Sequence, residues 1–324
     1  MKVSTVDYHT AGEPFRIVTG GVEELEGATI LEKRRFAAER LDRVRKLLVN
    51  EPRGHADMYG CFVTAPQDDG ADLGVVFFHN AGYSTACGHG TIALATWAID
   101  EGRVAVRSPE TALVVDVPSG RLPVVASVQD GRVERVRFRN VPAWVLAEGL
   151  DAGGVRADVS YGGAFYASVA AADLGLAVDA ASLPRLIEAG REIKRAIEAE
   201  HDVVHPDEPE IQGIYGVIFW QAEGGDAGGL VQRNVTVFAD GEVDRSPCGS
   251  GTSARLALLD ARGELSRGAT LRHRSIVGTE FEARVVDAVE DGVVTEIAGT
   301  AYRTGTHEFT LDPADELGTG FLLR

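Results

Sequence analysis

The segment YSTACGHGTIALATWAIDEG (83–102) reappears in altered form as DRSPCGSGTSARLALLDARGEL (244–265). One offset of 161 residues places Cys87 on Cys248, and it also superposes the glycines, the threonine and the alanine that follow each cysteine. The chain contains only three cysteines, and two of them occupy equivalent places in this repeat. Any fold predicted for the chain must therefore account for a duplicated Cys-Gly-x-Gly-Thr motif.

The residues around each motif predict the same secondary structure in both copies. Upstream, Val76-Phe77 falls on Val237-Phe238 under the same offset, and each pair lies in an apolar run typical of a buried strand. Downstream, Gly102 and Gly263 each lie fifteen residues after the cysteine, where a left-handed glycine would end a helix of about four turns. The repeat unit is a strand, a loop, the cysteine motif and a helix, which predicts two similar halves related by a pseudo-twofold axis.

The composition is that of a globular protein large enough for two domains. The chain has 324 residues, of which 44% are hydrophobic and 25% are charged. No apolar run approaches the roughly 20 residues that span a bilayer, and the N-terminal segment lacks the apolar centre of a signal peptide, so we expect a cytoplasmic protein. Three widely spaced cysteines predict thiols rather than a disulfide framework. A net charge of −17 without a basic stripe disfavours nucleic acid and anionic membranes as partners.

Outside the repeat, the sequence predicts hairpins and amphipathic helices. The segments VSTVDYHTAGEPFRIV and SYGGAFYASVAAADLGL are typical of hairpins, and a helix follows each of them. The expected apolar faces are Ala37, Leu41, Val44 and Leu48 in one helix that Pro52 ends, and Leu186, Ile193 and Ile197 in the other. We expect an α/β fold of two domains, 1–145 and 146–324, each a mostly antiparallel curved sheet wrapped around one central helix. The last strand is a candidate to cross back to the first domain.

The two cysteines are the strongest candidates for chemistry. A thiol at a helix N-terminus faces unpaired N–H groups and the positive end of the helix dipole, which lower its pKa and make the thiolate accessible near neutrality. The same N–H groups attract anions, and the Gly-x-Gly pattern lets a carboxylate approach the backbone of Gly88-His89 and of Gly249-Ser250.

Two such helix ends, facing each other across a cleft between the domains, predict a reaction. They would hold one carboxylate between them and place a sulfur on each side of the neighbouring carbon. One thiolate would remove the Cα proton while the opposing thiol delivers another, which inverts the stereocentre without a cofactor. The need for two equivalent acid/base groups would explain the duplicated cysteine.

The motifs CGHGTIA and DRSPCGSGTSAR, with HTAGEP and PRGHADMYG upstream, resemble those of the proline racemase family over nearly the whole chain. This family includes the hydroxyproline 2-epimerases and has the diaminopimelate-epimerase-like fold. The resemblance implies a small imino-acid substrate and a site with three kinds of residue. They are the acid/base pair Cys87 and Cys248, the carboxylate-binding backbone of Gly88, His89, Gly249 and Ser250, and two groups for the ring nitrogen, Asp244 and the His89 side chain.

Three positions bear on the branch of the family. The dehydratase branch, which removes water from trans-3-hydroxy-L-proline, typically has threonine where this chain has Cys248. A cysteine there supplies a proton donor on the second face, which favours racemisation or epimerisation over elimination. Tyr59 is more similar to the dehydratase branch, and Phe238 is similar to the racemases and dehydratases rather than to the 4-hydroxyproline epimerases. The resemblance implies an isomerase acting on proline or a hydroxyproline, with Tyr59 and Phe238 near the substrate and the ring substituent left open.

Other interpretations stay open at this point. One is a dehydratase on the same scaffold, and another is an imino-acid binding or sensing protein whose thiols are regulatory. Thiol hydrolysis is weaker, because His89 follows Cys87 by only two residues and no third orienting group is implied. Cys61 lies in an apolar run and is interpreted as a core residue. No zinc-ligand pair and no complete nucleotide-binding fingerprint is present, so no cofactor is expected; the sequence leaves a homodimer open.

Overall fold

The computed structural model describes residues 1–226 and 228–323. The chain divides into two compact units. The first contains Met1–Val136 and the chain from Thr300 onward, and the second contains Arg137–Gly299. The sequence placed the division between residues 145 and 146. No helix of the described residues is both long and apolar enough to cross a membrane.

The order of helices and strands is similar in the two halves of the chain. The first half contains β1 (Lys2–Thr10), β2 (Glu13–Gly20), α1 (Ile30–Arg40), α2 (Asp42–Val49), β3 (Tyr59–Thr64), β4 (Leu73–His79), β5 (Gly82–Tyr83), α3 (Gly88–Asp100), β6 (Glu110–Val117), β7 (Gly120–Gln129) and β8 (Arg132–Arg139). The second contains β9 (Trp144–Asp151), β10 (Arg156–Tyr161), β11 (Phe165–Ala170), a 3-10 turn (Ala171–Leu174), α4 (Leu183–Glu200), β12 (Ile214–Asp226), β13 (Gly229–Phe238), β14 (Glu242–Asp244), α5 (Gly249–Ala261), β15 (Thr270–Ser275), β16 (Glu280–Val289) and β17 (Gly292–Gly299). The last strand is β18 (Ala301–Thr310).

Strand pairing repeats as well. In the first unit, neighbouring strands run β18, β1, β2, β3, β4, β6, β7, and only the pairs β2–β3 and β4–β6 of this series are parallel. In the second unit they run β9, β10, β11, β12, β13, β15, β16, β17, with β11–β12 and β13–β15 parallel. Both predicted hairpins, β1–β2 and β10–β11, are confirmed. The predicted α/β class with mostly antiparallel sheets is confirmed too, and β18 belongs to the first unit.

One buried helix lies at the centre of each unit. Every residue from Gly88 to Ile99 in α3 is buried, and so is every residue from Gly249 to Leu259 in α5. Helix α3 contacts β18, β1 and β2 at one end of its sheet and β7 at the other, and α5 contacts β9, β10 and β11 as well as β16 and β17. A sheet whose two ends both reach one helix must curve around it, as predicted. Gly102 and Gly263 end these helices with φ of 65° and 66°, in the left-handed region that favours glycine.

The outer helices differ from the prediction in one respect. The sequence predicted a single helix up to Pro52, but α1 and α2 are separate because Leu41 leaves the helical conformation (φ −111°, ψ 5°). A new first turn starts at Asp42, whose carboxylate binds Arg45 at 2.7 Å and Lys46 at 2.8 Å. The predicted apolar faces of these helices and of α4 are buried against the sheets, so the break leaves the predicted core unchanged.

Candidate active site

Cys87 forms the N-cap of α3. Its backbone is extended (φ −155°, ψ 98°), and its sulfur accepts a hydrogen bond from the N–H of Gly90 at 3.3 Å. The backbone N–H and Oγ1 of Thr91 both donate to the carbonyl oxygen of Cys87, each at 2.9 Å. The sulfur therefore takes the position that a serine or aspartate oxygen has in an ordinary helix cap, where N–H groups stabilise negative charge.

The imidazole of His89 lies against this sulfur. Its Nε2 and Nδ1 are 3.4 and 3.6 Å from the Sγ of Cys87. The ring sits edge-on to Phe15 and Tyr59, with centroid distances of 5.7 and 5.0 Å, and the His89 carbonyl oxygen accepts a hydrogen bond from Thr10. From the two-residue spacing, the sequence predicted that His89 is poorly placed to act as the base for Cys87 in thiol hydrolysis. That prediction was wrong, because the first helical turn brings the ring back over the cap sulfur.

The second glycine of each motif makes room for the sulfur. A Cβ atom at Gly90 would lie 2.7 Å from the Sγ of Cys87 and 2.5 Å from the ring of Phe15. A Cβ atom at Gly251 would lie 2.9 Å from the Sγ of Cys248. These separations are shorter than van der Waals contact allows, so any larger residue would displace the thiol. Packing against the sulfur is a reason for these glycines beyond the carboxylate access expected from the sequence.

Cys248 begins α5 with a different backbone conformation. Its φ of 61° and ψ of 101° fall where a residue with a side chain is strained by about 1–3 kcal/mol. Successive hydrogen bonds hold this backbone in place. The Asp244 carboxylate accepts from the N–H of Ser246 at 2.8 Å, and Ser246 Oγ accepts from the N–H of Cys248 at 3.1 Å. The carbonyl oxygen of Cys248 accepts from the N–H of Thr252 at 2.8 Å.

Three aromatic side chains form a wall beside Cys248. The hydroxyl oxygen of Tyr166 lies 3.9 Å from the Sγ of Cys248 and 2.6 Å from the Oγ of Ser250. Tyr215 packs edge-on against Tyr166 at 5.7 Å between centroids and stacks on Phe238 at 5.6 Å. This aromatic wall, Tyr166, Tyr215 and Phe238, connects the predicted pocket residue to the thiol.

The two tyrosines of the aromatic wall were not identified from the sequence. A signal for one of them was present, because Ile214-Tyr215-Gly216 repeats Met58-Tyr59-Gly60, which contains the predicted residue Tyr59. Tyr166 has no comparable signal and required the pairing of β11 with β12. In the first unit, the hydroxyl of Tyr59 is hydrogen-bonded to Ser84, another residue that the sequence did not point to.

Burial dominates the acidity of two thiols. It raises the pKa of Cys248 well above its ordinary value, and the Asp244 carboxylate raises it further. The expected lowering of the pKa at a helix N-terminus was therefore wrong for Cys248, because desolvation of the thiolate outweighs the helix N–H groups. Burial also raises the pKa of Cys61, with a smaller contribution from Cys87. Cys61 is fully buried in β3, as its interpretation as a core residue required.

The predicted site residues thus form two groups, one in each unit. Within residues 1–226 and 228–323, no group of three or more His, Cys, Asp or Glu side chains could hold a metal ion, and no disulfide joins the cysteines. The first group is Cys87, Gly88, His89 and Tyr59, and the second is Cys248, Gly249, Ser250, Asp244 and Phe238.

A family model described as proline racemase matches residues 5–322. This chain belongs to the proline racemase family. It is 45% identical to a trans-3-hydroxy-L-proline dehydratase of Bacillus cereus, with all of both chains covered. It is 44% identical to a 3-hydroxyproline 2-epimerase of Burkholderia multivorans, with 99% of this chain and 98% of that protein covered. The family assignment made from the two cysteine motifs is therefore confirmed.

Solved structures of the proline racemase family have the same fold. A hydroxyproline epimerase from Agrobacterium vitis with bound trans-4-hydroxy-L-proline superposes with a TM-score of 0.90 at 31% identity, covering 99% of this chain and 96% of the other. A probable proline racemase from Agrobacterium radiobacter K84 with bound carbonate gives 0.91 at 32% identity, with the same coverage. A PhzF-family protein of Bacillus anthracis, at 15% identity and a TM-score of 0.59, shares the fold alone.

Proposed function

We propose that the protein is a cofactor-independent epimerase that inverts the Cα of 3-hydroxyproline, with Cys87 and Cys248 as its acid/base pair. One observation carries the proposal: a thiol stands at the N-terminus of the central helix in both units. A dehydratase needs one such base, whereas inversion needs a donor and an acceptor on opposite faces of the carbon. Proline and 4-hydroxyproline belong to the same substrate class. The 3-hydroxy isomer is preferred because the relatives named for it are 44–45% identical, against 31–32% for the solved structures named for the others.

The environments of the two sulfurs suggest which one starts with the proton. Cys87 accepts an N–H hydrogen bond and has an imidazole beside it, so negative charge on its sulfur is stabilised. Burial and the Asp244 carboxylate raise the pKa of Cys248, which favours the thiol form. In the resting enzyme, Cys87 would be the base and Cys248 the donor.

Substrate binding would make Cys248 a better proton donor. In the proposed complex, the cationic ring nitrogen lies beside Asp244, and the carboxylate is held by the backbone N–H groups at the starts of α3 and α5. A cation beside Asp244 offsets the negative charge that raises the pKa of Cys248. The proton of Cys248 then becomes easier to transfer to Cα at the moment when it is needed.

Dehydration of trans-3-hydroxy-L-proline is the second candidate. It is favoured by the name of the Bacillus cereus relative and by Tyr59, which is similar to the dehydratase branch. In this reaction a thiolate removes the Cα proton, the electrons form a double bond between Cα and C3, and the C3–O bond breaks. The leaving hydroxyl lies on the same face as the Cα hydrogen, so the newly protonated thiol can return that proton to it and water is released. Cys248 is the residue that argues against it as the main activity, because elimination leaves the second thiol without a task.

The test is an NMR experiment in deuterium oxide with trans-3-hydroxy-L-proline, trans-4-hydroxy-L-proline and L-proline as separate substrates. With EDTA present and no pyridoxal phosphate or nicotinamide, we expect Cα deuterium and the inverted epimer of the 3-hydroxy substrate. A cyclic imine or 2-oxo product would instead establish the dehydratase. Binding without any Cα exchange would contradict both and favour an imino-acid sensor. A reducing compartment such as the cytoplasm is part of the proposal, because a pair of opposed thiols must stay reduced to work.

A further inference from the structure

A buried histidine lies behind the Cys248 motif and has no part in the proposed proton transfers. His273 is fully buried on β15, and its Nδ1 lies 2.7 Å from the Oγ1 of Thr252 in the first turns of α5. The same hydroxyl donates a hydrogen bond to the carbonyl oxygen of Pro247 at 3.1 Å. Pro247 is bonded directly to Cys248, so a chain of contacts runs from His273 to the backbone that carries the thiol.

The direction of these hydrogen bonds follows from counting protons. The hydroxyl of Thr252 has one hydrogen, and it points to the Pro247 carbonyl oxygen. The His273 nitrogen at 2.7 Å must then be the donor, which fixes the neutral ring in the Nδ1–H form. The other tautomer would turn the hydroxyl hydrogen away from Pro247. It would also bury the Nε2–H without a partner, since no acceptor for Nε2 exists among the described residues.

Burial and a nearby cation together keep the histidine neutral. Burial, with a smaller contribution from the positive charge of Arg255, lowers the pKa of His273 to about 3. Arg255 is itself fully buried on α5, with its guanidinium 4.0 Å above the ring of Trp220 and its Nε bonded to Gln232. A nearby guanidinium favours the form of the ring in which Nε2 carries a lone pair and no hydrogen. Charge and hydrogen bonding therefore select the same tautomer.

The first unit has no counterpart of this chain. Thr91, the equivalent of Thr252, donates its hydroxyl to the carbonyl of Cys87 within its own helical turn. The equivalent of His273 is the buried Leu113, because β6 pairs with β4 as β15 pairs with β13, and a leucine side chain cannot form this hydrogen bond. Cys87 is extended, whereas Cys248 has a left-handed φ that the surrounding structure must maintain. The hydrogen bonds from His273 and Thr252 thus occur only in the unit whose cysteine has a strained backbone.

We propose that His273 and Thr252 are positioning residues that hold the left-handed backbone of Cys248, so that its thiol meets Cα at the correct place. They do not touch the substrate and act only through the Pro247 carbonyl. The inference rests on the proposed epimerase function. It adds a role for two residues that lie outside the cysteine and carboxylate-binding machinery.

Thr252→Val removes the hydroxyl without changing the shape of the side chain. Misplacement of a thiol by even 1 Å is worth roughly 100-fold in rate, so we expect kcat to fall by about 10- to 100-fold with little change in KM. Thr252→Ser keeps the hydroxyl and should recover most of the activity. Thr96→Val is the matched control, because it removes a buried threonine hydroxyl that donates to the Ile92 carbonyl oxygen inside α3, outside both Cys-Gly-x-Gly-Thr motifs. The kcat of this control should stay within about threefold of that of the parent enzyme, because the substitution lies outside the residues that restrain Cys248.

Deuterium exchange distinguishes a positioning role from general damage. With Cys248 misplaced, the enantiomer whose Cα proton faces Cys87 should still lose it but often regain deuterium from the same side. Deuterium would then accumulate in that unreacted enantiomer and not in the other. Cys248→Ser should show the same enantiomer preference. Equal slowing and equal exchange for both enantiomers would overturn the inference, provided that the parent enzyme inverts its substrate. A parent enzyme without Cα exchange would instead overturn the proposed function.

The tautomer of the parent protein gives a readout that does not depend on activity. With ¹⁵N-labelled histidine, the His273 signals, assigned from their loss in His273→Asn, should be those of a neutral Nδ1–H ring at pH 6. An Nε2–H or cationic ring would overturn the inference, because Thr252 could then not be held by His273 in the proposed direction. The His273→Asn enzyme keeps an N–H donor near the Nδ1 position and should be more active than His273→Phe, which has none.

Discussion

Cys87 and Cys248 are equivalent in the sequence but not in their surroundings. Cys87 has an extended backbone, a bond from a helix N–H and the ring of His89 beside its sulfur. Cys248 has a left-handed backbone and a raised pKa caused by burial and by Asp244. The duplication therefore supplies two thiols in different surroundings, and in the proposed epimerase Cys87 would be the proton acceptor and Cys248 the donor.

Single serine variants should separate the two faces of the substrate. In Cys87→Ser and in Cys248→Ser, inversion should fall at least about 1,000-fold, because a hydroxyl is too weak an acid to replace the missing thiol. Each variant should still exchange the Cα proton of the one enantiomer that faces its remaining sulfur. The two variants should therefore choose opposite enantiomers, as measured by deuterium incorporation. Near-normal inversion by Cys248→Ser would show that Cys248 is not an acid or base.

The sequence predicted the positions of the two thiols better than their environment. The repeat located both thiols at helix N-termini, since a glycine-rich segment between an apolar strand and a helix has few alternatives. It did not predict that His89 lies over Cys87, nor that burial raises the pKa of Cys248. Tyr166 and His273 reach their places only through strands that are distant in the chain, so no local pattern could have identified them.

At the scale of the elements, hairpins and central helices were predictable but their neighbours were not. Alternating apolar residues identify a strand without identifying its partner. The parallel pairs β2–β3 and β11–β12 join strands separated by whole helices, so the sequence gives no local sign of them. The break between α1 and α2 was missed because the apolar face continues through it, with Ala37, Leu41 and Val44 all buried.

The first turn of each central helix allows no side chain at its second glycine. Gly90→Ala and Gly251→Ala would place a Cβ atom within 3 Å of the adjacent sulfur, so the thiol must move. We expect each variant to lose at least about tenfold in kcat, because a displaced acid/base group loses its alignment with Cα. Gly20→Ala, at the end of β2 with open space around it, is the control and should keep its activity. Steady-state kinetics with the epimerase substrate checks all three, and full activity in Gly251→Ala would contradict the packing described for Cys248.

At the scale of the whole molecule, His273 makes stability depend on pH. Its pKa of about 3 lies below the ordinary value near 6.5, so below pH 6.5 the unfolded chain binds a proton that the folded chain cannot accept. Its contribution is complete above pH 6.5 and is lost as the pH falls toward 3, by up to about 1.4 kcal/mol per pH unit. Between pH 6.5 and pH 5, the free energy of unfolding measured in urea should fall by about 2 kcal/mol more for the parent protein than for His273→Asn. Equal losses in the two proteins would mean that His273 gains a proton in the native state.

Because β18 belongs to the first unit, the sheet of the first unit can be completed only after that of the second. Strand β1 pairs with β18 over nearly its whole length, and all strands of the second unit precede β18 in the chain. During synthesis on a ribosome, the half that carries Cys248 has every strand it needs before the half that carries Cys87 does. Most of the half that carries Cys87 is synthesised first, but one edge of β1 stays unpaired until β18 has been made. A nascent chain interrupted before residue 301 would therefore contain both cysteines and yet only one completed half, so catalysis would begin only once translation has passed the last strand.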